Sequence, residues 1–330
     1  MAAILKRGDY QWQATIRKKG YPTQCKTFET KRDAEDWSKT IESEMRRGLF
    51  IDRTEAERFS FADALARYAE QVIPGKKGRA RELDLIVCLQ KQAFSLRSLA
   101  SLRAKDFAAY RDMRSKSVSS NTVRLELALI SHVFTIAKTE SNIAIDNPIS
   151  AILRPKLPPG RDRRFKAGEE VRLISAITND SLRLAVQLAL GTGMRQSELV
   201  GLTWGQVDFN DKILQLSDTK NGSDRIVPMT ETVEALLKSV IAALPCPPHP
   251  NERLLGYPTA SVLCSAFISA RKKAGLENFT FHDLRHEAAS IIAPKMEAPA
   301  LAKIFGWNTP QMAMRYYHPS PKDLAVAVRL

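Results

Sequence analysis

The sequence predicts a mainly α-helical chain with small β elements. It reads as a small β-sheet-plus-helix domain over residues 1–54, a helical domain over 58–145, a basic proline-rich linker over 146–164 and a mixed α/β, mostly helical domain over 165–330. Three observations predict this. The 330 residues exceed one average domain. Hydrophobic residues make up 44% and charged residues 26%, the balance of an ordinary globular protein rather than a disordered or fibrous one. Period-two alternation is confined to two short regions, and the 3.6-residue helical period governs the rest.

In chain order, "YQWQATIR" sets Trp12, Ala14 and Ile16 against polar neighbours, which is strand periodicity, and "KKGYP" supplies a turn before a second run, "TQCKTFET". Thr30 and Asp33 form a capping pair for a helix whose apolar stripe is Ala34, Trp37, Ile41 and Met45. From Ser60 onward the pattern is helical: Phe61, Leu65, Tyr68 and Val72 share one face, as do Val123, Leu127, Ile130, Phe134 and Ala137. Ser120 or Asn121 is the expected N-cap of this last helix. The stretch "DNPISAILRPKLPPGRDRRF" resists helix and is expected to be extended on a polyanion. Helices resume with "EEVRLISAI" and "SLRLAVQLAL", break at "GTG" and restart at "MRQSELVGLTW". "KILQLSDTKNGSDRIVPM" reads as a hairpin around Asn221-Gly222, and from Glu231 the chain is helical apart from "PCPPHP".

Fifty Lys and Arg against 36 Asp and Glu give a formal net charge of +14. The excess is +3 over residues 1–60, +7 over 61–160 and +4 over 161–330. A basic surface gains affinity for phosphates by releasing counterions, so nucleic acid is the favoured partner and a merely solvated basic face the alternative. Cys25, Cys88, Cys246 and Cys264 lie far apart without a CxxC pair and read as reduced thiols. The apolar run in "MAAILKRGDYQW" is too short for a signal peptide, and no stretch reaches membrane-spanning length, so the expected location is the bacterial cytoplasm or nucleoid.

Several residues could carry chemistry. Arg195 follows the "GTGM" break and opens a helix, with Glu198 three residues on able to orient it; a surface ion pair is the plainer reading. Lys220 stands before the Asn-Gly turn, where its ammonium can act as a mobile proton donor. In "FTFHDLRHEAAS", His282 and Arg285 project from one side of a helix, and His286 lies four residues beyond His282. That spacing suits two metal ligands, but the HExxH glutamate and a third ligand are missing, so no metal is expected; two hydrogen-bonded core-edge histidines are the structural alternative. Near the end, "IFGWNTPQMAMRYYHPS" places Trp307, then Tyr316 and Tyr317, then His318. A tyrosine pair usually packs, yet a phenol beside cations and a proton acceptor can attack a phosphorus.

Taken in order, "GTGMRQSEL", "TKNG", "FHDLRH", "FGW" and "MRYYHPS" resemble the tyrosine recombinase or phage integrase family. The resemblance implies that Arg195 and Arg285 clamp a scissile DNA phosphate, that His282 bonds it and assists proton transfer, and that Lys220 protonates the leaving 5′ oxygen. Trp307 stands where most members have histidine and would act by packing and its indole N–H. Tyr316 would be the nucleophile, with Tyr317 as the register alternative, and Glu198, His286 and His318 would support the site, His286 by holding its helix. "IFGW" in place of Leu-Gly-His and "IIAPKMEAPALAK" in place of a glycine-containing stretch depart from the family pattern.

The first 54 residues look like the arm-type DNA-binding module of phage and mobile-element integrases, and "SSNTVRLELALISHVFTIAK" is similar to the family's core-binding domain. Arg17, Lys18, Lys19, Asn121, Arg124, Arg161, Arg163 and Arg164 are the expected DNA contacts. The implied reaction is strand exchange through a 3′-phosphotyrosyl link, without cofactor or metal, by a homotetramer on specific double-stranded sites, with accessory DNA-bending or directionality factors as further partners and "DLAVAVRL" docking on a neighbour. A type IB topoisomerase-like enzyme and a non-catalytic DNA-binding protein on the same scaffold are the alternatives.

Overall fold

The computed structural model describes residues 2–76, 78–216 and 224–317; Lys220, the Asn221-Gly222 turn, His318 and the segment "DLAVAVRL" lie outside the described residues. The chain forms two compact units, Met1–Pro159 and Gly160–Leu330.

The first unit opens with an antiparallel sheet of β1 (Ala2–Gly8), β2 (Gln11–Ile16) and β3 (Gln24–Phe28) in the order β1-β2-β3. The alternation in β2 buries Ala14 and Ile16 completely. β1 carries no clean alternation in its "AILKRG" stretch and is placed by its antiparallel pairing with β2. Helix α1 (Lys31–Arg47) is capped by the Thr30 side chain, which accepts from the Asp33 amide, and ends at Gly48 with φ 70°. The short α2 (Thr54–Arg58) leads into α3 (Phe61–Gln71), whose start is fixed by a reciprocal Ser60–Asp63 capping box. With α4 (Arg79–Gln90), α5 (Ala104–Ser115) and α6 (Ser120–Thr139) it forms a bundle around Phe61, Phe107 and Phe134. Phe61 and Phe134 stack at 5.5 Å with Phe107 edge-on to both.

The cap of α6 is Ser119, whose hydroxyl accepts from the Thr122 amide at 3.2 Å. Ser120 and Asn121 are already helical, because the extended residue that lets a side chain fold back on the first turn comes one position earlier. The stretch read as a linker also differs in its first part: Pro148–Ala151 form a 3-10 turn, and Ile149 and Ile152 are buried in the bundle core. Apolar side chains at these two positions outweigh the prolines around them.

The second unit contains α7 (Glu169–Ala176), α8 (Asp180–Thr192) and α9 (Gln196–Gly201), then an antiparallel sheet of β4 (Val207–Asp208), β5 (Ile213–Leu216) and β6 (Arg225–Pro228). Four helices follow: α10 (Glu231–Ala243), α11 (Ala260–Lys273), α12 (Phe281–Ile292) and α13 (Ala298–Phe305), with the single turn α14 (Gln311–Met314) after them. α12 lies against α8 in a core built on Leu188, Phe267, Phe279 and Leu284. A smaller apolar cluster of Ala289, Leu301, Phe305 and Tyr316 joins α12 to α13 and α14. Among the described residues, no helix is long and apolar enough to cross a membrane.

Candidate active site

Arg195 sits at the junction of α8 and α9, where Gly193 ends α8 at φ 62°. A β-carbon at Gly193 would come within 2.3 Å of the Phe305 ring, so a side chain is excluded by both conformation and space. Glu198 accepts from the Arg195 backbone amide at 2.6 Å and from its Nη1 at 2.8 Å, capping α9 and orienting the guanidinium at once. Nη2 of Arg195 donates to the Gly306 carbonyl at 2.6 Å.

Glu198 has a second partner absent from the sequence reading. Arg225, at the start of β6, donates Nη2 to the same carboxylate and Nη1 to the Ile304 carbonyl, and only 8% of the residue is exposed. The signal was present: Arg225 lies two residues before the buried Val227, so the strand alternation turns it inward. Burial opposes the charge of Glu198, but Arg225 and then Arg195 outweigh it and hold the carboxyl below its usual range. Burial lowers Arg225 instead, and its Nε lies buried without a hydrogen-bond partner.

Helix α12 supplies the other half. Its N-terminus is capped by Asp283, which accepts from the Thr280 amide at 2.6 Å and the Thr280 hydroxyl at 2.9 Å. Arg285 is 4% exposed and donates to the carbonyls of Gly193 and Phe305, tying α12 to the Arg195 loop and to α13. Its guanidinium also lies over the Phe305 and Trp307 rings, 5.0 and 5.6 Å from their centroids. Burial, then the charges of Arg195 and Arg225, push Arg285 down to about 9, so it remains cationic at neutral pH and gains from an incoming anion. Lost hydration, then Arg285, also lowers His282 below the ordinary imidazole value.

Tyr316, 8% exposed, stacks parallel on Trp307 at 5.3 Å with only 4° between the rings. Its phenol is hydrogen-bonded to Nδ1 of His286, the residue expected only to hold the helix. His282 meets the His286 ring edge-on at 5.0 Å. Tyr317 points elsewhere and donates its hydroxyl to the Met296 carbonyl. Arg195, Arg285, His282, Trp307 and Tyr316, spread over 122 residues of sequence, are therefore linked through Glu198, Gly306, Phe305 and His286.

A model of the phage integrase family matches residues 163–323, the region that holds all of these side chains. The chain is 34% identical to the shufflon-specific DNA recombinase of Escherichia coli over 273 residues, covering 79% of this chain and 69% of that protein. It belongs to the phage integrase family of site-specific tyrosine recombinases. A putative integrase/recombinase of Haemophilus influenzae is 28% identical to it across 96% of this chain and 87% of its own. In fold the recombinase is similar to the Tn1549 transposon integrase in complex with a circular intermediate DNA, with a TM-score of 0.70, 21% identity, and coverage of 82% of this chain and 100% of that one. It is also similar to lambda integrase in a tetramer bound to a Holliday junction, with a TM-score of 0.65, 18% identity, and coverage of 93% and 96%.

Three arginines of the recombinase expected on DNA are engaged within their own unit. Arg161 clasps both oxygens of the buried Asp283 at 2.6 Å, Arg163 holds the buried Glu169 at 2.7 Å, and Arg164 reaches Glu287 at 3.0 Å. Buried carboxylates need such partners, a demand that composition alone does not reveal. Arg17 and Lys19 are exposed on the turn after β2, and Lys18 lies 5.2 Å from the Tyr21 ring. Asn121 is exposed on the first turn of α6, and Arg124 donates to the Pro155 carbonyl at 3.2 Å.

Proposed function

We propose that this recombinase cleaves duplex DNA with Tyr316, forming a 3′-phosphotyrosyl link and a free 5′-hydroxyl that then attacks the corresponding link on a partner strand. The observation that carries the reading is a cluster of three guanidiniums, Arg195 and Arg225 paired with Glu198 and Arg285 held by the Gly193 and Phe305 carbonyls, beside a phenol already bonded to an imidazole. Three guanidiniums bring three positive charges and Glu198 returns one, so a phosphodiester suits the site electrostatically. Arg195 and Arg285 would hold its non-bridging oxygens, His282 would bond it, and Trp307 would shield it from water. Lys220 would protonate the departing 5′ oxygen. Charge neutralisation and positioning would carry the acceleration, as in phosphoryl transfer generally.

In this reading residues 1–54 bind arm-type DNA through Arg17, Lys18 and Lys19, and the helical domain approaches the duplex with Asn121 and Arg124. The active assembly is a homotetramer on two sites, aided by accessory bending or directionality factors, in the cytoplasm and in the service of a phage or mobile element. Relatives named as integrases and recombinases support it.

The test uses nicked duplexes selected from a random pool by covalent capture on the wild-type protein. Wild type becomes linked to DNA and Tyr316→Phe does not; an adduct from Tyr316→Phe, or a pool that yields no captured duplex, overturns the reading. Loss of the adduct in Tyr317→Phe alone would move the nucleophile by one residue.

A further inference from the structure

The nucleophile's hydrogen bond goes to a histidine that the motif resemblance treats as a support. His282, the residue to which that resemblance gives proton transfer, presents its ring to His286 rather than to the phenol. His286 is 9% exposed, and its Nδ1 meets the Tyr316 hydroxyl while the two rings lie 5.9 Å apart at 30°. Stacking on Trp307 and the Arg315 guanidinium 5.5 Å from its centroid hold the Tyr316 ring in this register. The contact therefore involves the reacting oxygen itself, in a site closed to most water.

We infer that His286 is a catalytic residue, the general base that takes the Tyr316 phenol proton on Nδ1 during DNA cleavage and returns it during rejoining. The inference rests on the reading of Tyr316 as nucleophile. In cleavage the Oη–P bond forms as the P–O5′ bond breaks. The phenol proton passes to His286, and the 5′ oxygen leaves with a proton from Lys220. In rejoining the 5′-hydroxyl attacks phosphorus and gives its proton back to Lys220, while the expelled Tyr316 oxygen recovers its own from His286.

The electrostatic setting suits this cycle. Burial, then His282, Arg315 and Arg285, with Asp283 opposing, push His286 down to about 4, so the imidazole waits as a neutral acceptor. A phosphate held by Arg195 and Arg285 adds negative charge beside it and raises its proton affinity at the moment the proton must move. Neutral Nδ1 accepts from the phenol when the ring proton is on Nε2.

The test is single-turnover adduct formation on the captured nicked duplex as a function of pH. His286→Asn keeps an acceptor near the Nδ1 position but removes its basicity. We expect it to retain the duplex as wild type does and to cleave it about 100-fold or more slowly at neutral pH. The deficit should shrink as pH rises and hydroxide replaces the imidazole. Cleavage at the wild-type rate, or an equal deficit at every pH, overturns the inference. If the asparagine variant fails to retain duplex, wild-type protein carrying a fluorinated tyrosine at position 316 decides. With imidazole as base, the pH at which cleavage levels off stays where it is in the unmodified enzyme; a shift that follows the lowered phenol pKa sinks the idea. An adduct from Tyr316→Phe defeats the reading of the site, whereas an inactive Tyr316→Phe with an unimpaired His286→Asn defeats only the assignment of the base.

Discussion

Among the described residues there are two hydrogen-bonded tyrosine–histidine pairs, one in each unit, and their surroundings differ. In the helical unit the Tyr68 phenol meets Nδ1 of His132 at 2.7 Å, with the rings edge-on at 5.3 Å. Lys76 donates to the same phenol at 2.7 Å and is itself neutralised by Glu82 at 2.7 Å. Tyr68 is 1% exposed while His132 faces solvent, so the reactive end of the pair is sealed and its charges are balanced. In the second unit both partners are buried, Tyr316 at 8% and His286 at 9% exposed, and the charges acting on the phenol are Arg315, Arg285 and Asp162. Burial raises the phenols of both tyrosines and cations oppose the rise at each, Lys76 at Tyr68 and Arg315 and Arg285 at Tyr316, but Lys76 is already paired with Glu82. The two pairs share one hydrogen bond and differ in the charges set around it.

The largest expected effect separates the two directly. Tyr316→Phe should abolish the covalent DNA adduct, and Tyr68→Phe should leave it intact; denaturing gels of protein bound to nicked duplex check both. Next, Glu198→Gln should slow adduct formation by about 10²-fold, because Arg195 loses its orienting charge, on the scale of removing one preorganised group from a transition state. Single-turnover rates on one duplex measure it, and an unaffected rate would show that the Gly306 carbonyl suffices to aim Arg195.

Stability should follow the same division. Arg225→Met leaves a buried carboxylate with one partner and should cost roughly 3–5 kcal/mol in chemical denaturation. Gly193→Ala forces a β-carbon to within 2.3 Å of Phe305 at a φ of 62° and should cost about 1–3 kcal/mol while moving the carbonyl that holds Arg285. Tyr68→Phe, by contrast, should cost only about 1 kcal/mol, the net worth of an ordinary hydrogen bond. A further effect is in pH. The folded state depresses His286 from 6.5 to about 4, so its neutral ring contributes stability that is present above pH 6.5 and lost as the pH falls through about 4. Thermal melts from pH 7 to 4 should show a shallower acid loss in His286→Asn than in wild type.

Local chemistry explains which parts were legible. The Thr30 cap, the α6 stripe and the alternation of β2 depend on neighbours within a few residues, and their periods can be read from the chain. The cap at Ser119 and the turn at Pro148–Ala151 were misplaced because several acceptable residues are adjacent and only packing chooses among them. The engagement of Arg161 with Asp283 joins residues 122 positions apart, a separation at which no spacing rule operates.

By itself the sequence determined the helical and strand periods, the basic surplus and the three-residue spacing of Arg195 and Glu198, because these are properties of composition and short spacing. Only the tertiary structure decided which partner each of those residues would have. It turned Arg225 inward to share Glu198, spent Arg161 and Arg163 on buried carboxylates, and placed His286, rather than His282, against the oxygen of Tyr316. The reason is physical: the cost of burying a charge or a phenol is met by whichever group the fold brings within hydrogen-bond reach, and that choice is made across the core rather than along the chain.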